Sequence, residues 1–375
     1  MTRIVIIGAG VIGAAIAYEL SAIPAFQLTL LEKQQGVTEL GRSAAEGATG
    51  AALGVMMGVI SHKTKGRAWR LRQATLERFD NLVTELEQIT GESLPVNRQG
   101  ILKVIPTEEQ SQWQRLQQTR AAQGYPLELW SFEQLREQFP YLKLNPDQSA
   151  VYSPRDRQIN PQHFTEQLLK AAQSQGVTYG PGVTVHHLAH RDGICTGLET
   201  SQGFIEADQV IIAAGLGSPA LTPFFDPPIA LQPVLGQGLR VKLPQPLGLS
   251  ALQQSSVTSR QPVITCNDVH LVPWGDKEYA IAATVEFPHP DGTLIADPQR
   301  LESIYHQAIA LCPDLAQGER IYTWQGTRPR PLGESAPILR SLPGFTNVLL
   351  ATGHYRNGIL LAPATALWVK QTLTA

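Results

Sequence analysis

The chain has 375 residues, 43% apolar and 17% charged, with a net charge of −2. This is too long for one small core, has the make-up of a globular protein and predicts two domains. Near-neutrality leaves no basic footprint for nucleic acid, and three scattered cysteines (Cys195, Cys266, Cys312) without a CxxC spacing argue against a disulfide framework or a zinc site and fit a reducing cytoplasm.

Arg3 to Ile7 reads as a buried parallel strand, Val11 to Ser21 as a helix rich in Ala, Ile and Val, and Leu28 to Leu31 as a second strand ending at Glu32. The first apolar run leads straight into a glycine motif, so it is not read as a signal peptide. No uncharged run reaches the length of a membrane span. Gly36 to Val59 is rich in Gly, Ala, Ser and Thr, as in a surface loop or a backbone lying close against a flat ligand. Helical periodicity runs through Trp69 to Ile89, with helices also expected at Glu108–Gly124 and Pro161–Gln175, the last stopped by Gly176.

From Val177 the pattern changes to short strands: Val183–Leu188, Ile194–Thr200, Phe204–Glu206 and Val210–Ala213. Pro227 to Pro298 is proline-rich, with β-like runs at Val263–Thr265, His270–Pro273 and Tyr279–Thr284. The two ends thus read as α/β and the middle as a β-rich insertion.

Gly8-x-Gly10-x-x-Gly13 follows a strand and opens a helix. The first glycine permits a tight turn, the second lets backbone approach a pyrophosphate, and the third allows close helix–strand packing. The helix start offers free N–H groups and a positive dipole end. Glu32 follows about twenty residues on, where a carboxylate can accept ribose hydroxyls. This predicts a dinucleotide and leaves FAD and NAD open. Ala207 to Gly215 is a strand running into a small-residue turn where a second backbone segment can approach.

Three stretches now decide: that strand and turn, Gly326-Thr327-Arg328-Pro329-Arg330-Pro331, and Gly353-His354-Tyr355-Arg356-Asn357-Gly358-Ile359-Leu360-Leu361-Ala362-Pro363. Together they resemble the FAD-dependent D-amino-acid oxidase superfamily, and within it the bacterial glycine oxidases of thiamine biosynthesis. The resemblance spans nearly the whole chain, thinning between Ser61 and Ala150 and from Pro244 to Gln261. It implies a Rossmann-type FAD-binding domain (residues 1–60, 150–225 and 321–375) with an inserted β-rich α+β substrate domain (61–149 and 226–320).

The resemblance implies noncovalent FAD, since Tyr322-Thr323-Trp324 offers no attachment cysteine. Gly8, Gly10, Val11, Ile12 and Gly13 would face the pyrophosphate, and Glu32 and Lys33 the adenosine. Ala48, Thr49, Leu53, Gly54 and Val55 would line the flavin, and Val185 would touch the adenine through its backbone. Ala214 and Gly215 would approach the dinucleotide, and His354, Tyr355, Arg356, Asn357, Gly358, Ile359 and Leu360 would form a loop against the isoalloxazine. Arg328 and Arg356 would hold the substrate carboxylate, which suits a planar guanidinium; Arg330 competes with them for that role.

The implied chemistry is oxidative deamination of a small amino acid or amine of the glycine, sarcosine or D-alanine type. Hydride would pass from Cα to flavin N5, and O2 would become H2O2. A D-amino-acid dehydrogenase serving a quinone or another acceptor, a flavoprotein without catalysis and an NAD-dependent dehydrogenase are the other readings. His270 stands where glycine oxidase has a tyrosine, either orienting substrate or simply satisfied on its strand, and Glu286 is read as structural. The basic run from His62 to Arg72 is a solvated face or a lure for an anionic substrate. A homo-oligomer follows only by analogy with relatives.

Overall fold

The structure is a computed structural model. It describes residues 1–35, 47–222, 228–248 and 261–375, so most of the Gly36–Val59 segment's first half lies outside the described residues. Among the described residues, two large sheets carry the fold.

The first sheet is built from β1 (Thr2–Ile7), β2 (Phe26–Glu32), β3 (Thr178–Pro181), β4 (Gln209–Ile212), β5 (Ile338–Ser341) and β6 (Val348–Thr352), in the order β5–β6–β4–β1–β2–β3. All neighbours pair in parallel except β5 and β6. β1 is apolar on both faces because both are covered. Ile4 and Ile6 pack with helices α1 (Val11–Ser21), α2 (Gly66–Thr90), α3 (Pro161–Ser174) and α5 (Gly358–Thr374). Val5 and Ile7 pack instead with Cys195 and Leu198 of a three-stranded antiparallel ribbon spanning Val185 to Glu206. Ala14, Ala15 and Ala17 are fully buried, which lets α1 lie close to α3 and α5.

The second sheet contains β7 (Ile101–Pro106), β8 (Glu128–Trp130), β9 (Gln148–Ser153), β10 (Leu231–Lys242), β11 (Val263–Cys266), β12 (Val269–Pro273), β13 (Glu278–Ala282) and β14 (Glu319–Pro331). Their order is β14–β10–β13–β12–β11–β7–β9–β8, antiparallel throughout except the β11–β7 pair. Its outer face buries Leu102, Leu239, Ile264, Leu271 and Ile281 against α4 (Pro298–Leu311). Its inner face sets Ile101, Val263, Val272 and Ala280 against Leu53, Val55 and Met57. The site lies on that inner face.

The expected α/β architecture with a second, β-rich unit is present, but packing divides the chain differently in places. α2, in the stretch assigned to the substrate domain, buries Leu71, Phe79, Leu82 and Val83 in the core of the first sheet. Most of β9 and most of β14, assigned to the dinucleotide domain, belong to strands of the second sheet. The C-terminal stretch also differs from the expected loop. Tyr355–Asn357 is one 3-10 turn, and from Gly358 the chain is a helix with Pro363 inside it. A proline breaks one helical hydrogen bond. Burial of Ile359, Leu360, Leu361, Ala364 and Ala366 in the first core offsets that loss.

Candidate active site

The nucleotide end is built as the glycine spacing requires. Gly8 has φ +100°, and a Cβ there would lie 2.8 Å from the Ala213 oxygen. A Cβ on Gly13 would stand 1.8 Å from the Gly8 oxygen, so α1 docks on this turn only without one. Gly10 caps α1 with no side-chain hydrogen bond, and the first turn carries no acid. The Val11 N–H donates to Thr49 Oγ1 at 3.2 Å, which ties the small-residue segment to the helix start. Glu32 at the end of β2 accepts from the Ala9 N–H at 2.8 Å and the Gln34 N–H at 3.1 Å. These contacts lie at the carboxyl ends of parallel strands, where open α/β sheets bind ligands. A helix start with no side-chain cap on Gly10 and no acid in its first turn suits a pyrophosphate.

Of the other expected cofactor residues, Lys33 and Ala48 are exposed, and Val185 is half-buried on the ribbon. Gly54 has φ +71°, and a Cβ there would meet the Ile159 oxygen at 1.7 Å, so backbone packs on backbone. Leu53 and Val55 face the second sheet. Ala214 and Gly215 follow β4, with the Gly215 oxygen accepting from Thr352 Oγ1 at 3.3 Å. His354 is buried, shares a 2.9 Å hydrogen bond between Nε2 and Thr365 Oγ1, and burial pushes its pKa down to about 3. Ile359 and Leu360 point into the core, so only their backbone is available near the helix start. That start likewise has no side-chain cap and no acid in its first turn.

On the inner face of the second sheet, three strand glycines open the space. Beside Gly236 lies the Arg328 guanidinium, which a Cβ would meet at 2.1 Å. Gly238 lies under Trp324 at 2.5 Å, and Gly326 meets the Ala51 Cβ at 2.2 Å. Trp324 Nε1 donates to the Ala51 oxygen at 3.1 Å, joining the small-residue segment to the sheet. Arg328 donates to the Leu235 and Thr284 oxygens, both at 3.2 Å, and has no carboxylate partner among the described residues. Burial first, then the Arg356 charge, pulls its pKa down from the ordinary arginine range. An incoming anion would relieve both effects.

Arg356 is exposed on its turn and has no ion pair among the described residues. Its charge nonetheless acts on both Arg328 and His270. Arg330 is occupied differently: it donates to Gln232 Oε1 at 3.2 Å and lies over the Phe287 ring at 5.2 Å. Glu286, the acid near Arg328, is saturated. It accepts from Gln237 Nε2 at 2.8 Å, the Asp297 N–H at 2.8 Å and the Thr284 hydroxyl. Its structural reading therefore matches its surroundings.

His270 is half-buried as a residue, but its Nδ1 is shut off from solvent and unpartnered among the described residues. Burial, then the charges of Arg356, Lys103 and Arg328, pushes its pKa down to about 4, so it is neutral at pH 7.

The basic run is divided by the fold. Arg72 is buried and donates to the Ala68 oxygen at 2.8 Å, and Arg67 donates to the Pro337 oxygen at 2.9 Å. Buried Asp156 accepts from the N–H groups of Gly58, Val59 and Ile60 at 2.8, 2.8 and 2.9 Å and pins the chain leaving the site.

Sequence reading missed Trp324, Gly236, Gly238 and the polar residues beside His270. The signal was available: glycine inside a strand marks close approach of another group.

A family model described as FAD dependent oxidoreductase (DAO) matches residues 3–372. The bifunctional protein ThiO/ThiG of Synechocystis sp. (strain ATCC 27184 / PCC 6803 / Kazusa) is 32% identical over 380 residues, covering 99% of this chain and 51% of that protein. The chain thus spans about half the length of such bifunctional relatives. Glycine oxidase of Geobacillus kaustophilus (strain HTA426) is 28% identical over 374 residues, covering 98% of this chain and 91% of that protein. The crystal structure of glycine oxidase from Geobacillus kaustophilus superposes with a TM-score of 0.84 at 26% identity, covering 100% of this chain and 95% of that one. L-proline dehydrogenase from P. horikoshii shares the fold, with a TM-score of 0.81 at 18% identity over 100% of this chain and 93% of that one.

Proposed function

The chain belongs to the FAD dependent oxidoreductase (DAO) family, and from that premise we propose that it oxidises a small amino acid or amine at the carbon bearing nitrogen. FAD, the cofactor of the family, would supply the two-electron acceptor when bound, with O2 as the final acceptor that would become H2O2. The observation that carries this reading is the pair Arg328 and Arg356, near enough for the charge of one to act on the other, with no carboxylate ion-paired to either among the described residues. The likeness to glycine oxidases of similar length supports an amino acid as the substrate.

The residues suited to hold FAD are the Gly8–Gly13 turn with Val11 and Ile12, Glu32 and Lys33 at the adenosine end with Val185, and Ala48, Thr49, Leu53, Gly54 and Val55. Ala214 and Gly215, and His354 through Leu360, complete the set. The chain itself has a modest chemical task. Arg328 binds the substrate carboxylate, Arg356 closes over it, and the apolar wall of Leu53, Val55, Trp274 and Trp324 excludes water. Neutral His270 withholds a charge from the pocket and can exchange hydrogen bonds with the amine. Holding the Cα–H bond in one orientation supplies most of the rate enhancement. The substrate loses two electrons and leaves as an imine, which water hydrolyses.

Anaerobic addition of glycine, sarcosine and D-alanine to the yellow protein should bleach the flavin band, and air should restore it. A flavin that is reduced but stays reduced in air indicates a dehydrogenase instead, and one bleached by no amine removes the catalytic reading.

A further inference from the structure

Lys103, Thr265 and His270 are neighbours on three adjacent strands. Lys103 on β7 pairs with Thr265 on β11, and Thr265 pairs with His270 on β12. The row continues through Ala282 on β13 to Gly238 on β10. Ile101, Val263 and Val272, two residues away on the same strands, belong to the inner face, so all three polar side chains are placed on that face too.

Two of the three leave polar atoms unsatisfied. Thr265 is 1% exposed and its Oγ1 has no partner among the described residues, and neither has Nδ1 of His270. Burying such groups unpaired is costly, so two of them paired across adjacent strands on the inner face, beside a lysine with no ion pair among the described residues, point to a ligand that completes them. Lys103 is half-buried and has no ion pair among the described residues. His270 lies between two sources of positive charge, feeling Lys103 from one side and Arg328 and Arg356 from the other. One substrate carboxylate answers the arginine pair. It leaves Lys103 unbalanced and the two polar atoms unpaired, and Glu286 is already engaged.

We propose that Lys103, Thr265 and His270 form a subsite for a second carboxylate, so that the preferred substrates are small amino dicarboxylates. This rests on the amine-oxidising reading of the same crevice. Lys103 supplies the charge, the Thr265 hydroxyl and His270 Nδ1 the hydrogen bonds, and Arg328 and Arg356 keep the carboxylate beside the reacting carbon.

The FAD-loaded protein is titrated with succinate and with its monoamide succinamate, by calorimetry and by the shift of the flavin spectrum. D-Aspartate and D-asparagine are compared as substrates in parallel. Succinate should bind at least tenfold more tightly, and kcat/KM should favour D-aspartate similarly. Lys103→Met should abolish both preferences, Lys103→Arg should restore most of them, and Thr265→Val should weaken succinate several-fold, FAD content confirming that each variant is folded. Equal binding of succinate and succinamate to the wild type, or a preference unchanged in both Lys103→Met and Thr265→Val, overturns the subsite. Bleaching by D-alanine with no preference for succinate removes the second-carboxylate subsite alone. A Lys103-dependent preference for succinate without bleaching by any amine keeps the subsite and removes the oxidase reading.

Discussion

In the proposed site, Arg328 is useful because it has no carboxylate ion-paired to it among the described residues. Its neighbours are carbonyl oxygens and the bare backbone of Gly236, so its charge is directed to whatever enters the crevice. Arg328→Ala should retain FAD while weakening carboxylate binding by roughly 2–5 kcal/mol, as for loss of one partner of a buried charge pair. Reductive titration with the best amine measures this, and near-normal turnover at low substrate would discard Arg328 as the anchor. Gly236→Ala tests the same point from below. Its methyl would overlap the guanidinium, so KM should rise with FAD content unchanged.

His354 provides a residue-scale pH prediction. Its buried imidazole has a pKa pushed down to about 3 in the folded chain, against roughly 6.5 when unfolded. Between these values the unfolded state binds a proton that the folded state does not. Its contribution to stability is therefore complete above about pH 6.5 and is lost as the pH falls toward the folded value, with a limiting slope of about 1.4 kcal/mol per pH unit. Thermal unfolding from pH 7 to 5 should show a steeper fall for the wild type than for His354→Gln; parallel curves would contradict it.

At the scale of elements, the contact between β1 and α1 was readable and the helical form of the C-terminal stretch was not. The glycine spacing specifies a turn in which Gly13 lies against the Gly8 oxygen. Gly13→Ala should force α1 off the sheet at about 1–3 kcal/mol, the usual cost of overpacking. The ratio of flavin to protein absorbance after purification should fall sharply, and full retention of FAD would refute the close-packing argument. α5 was hidden because Gly358 and Pro363 are loop residues by local preference. Ile359 to Ala366 is apolar on nearly every side, and a run buried all round carries little helical periodicity to read. β10 was not named among the β-like runs for a related reason: Pro233, Gly236 and Gly238 interrupt a strand pattern, whereas the strand needs those glycines to make room for Arg328 and Trp324.

On the scale of the whole molecule, the chain crosses between the two sheets several times, and Trp324 and Gly326 of the second seat directly on Ala51 of the segment tied to α1. Neither sheet is completed by one continuous stretch of sequence. Unfolding should accordingly be one transition, moved upward as a whole by FAD, by about 2.7 kcal/mol at a hundredfold excess over Kd. Differential scanning calorimetry with and without added FAD checks this. Two separated transitions, of which FAD moves only one, would show that the sheets unfold independently.

The sequence by itself determined the dinucleotide turn and the carboxylate at the end of β2, because each depends on residue type at short, fixed spacing, whereas the pair of arginines was implied by the family resemblance. Tertiary structure alone decided what those arginines face, that Arg330 is occupied by Gln232 and Phe287, and that Lys103, Thr265 and His270 stand in one row. Lys103 and Thr265 are more than a hundred and fifty positions apart in the sequence. Only the pairing of β7 with β11 brings them together, and that pairing is set by the burial of both sheet faces rather than by any local pattern.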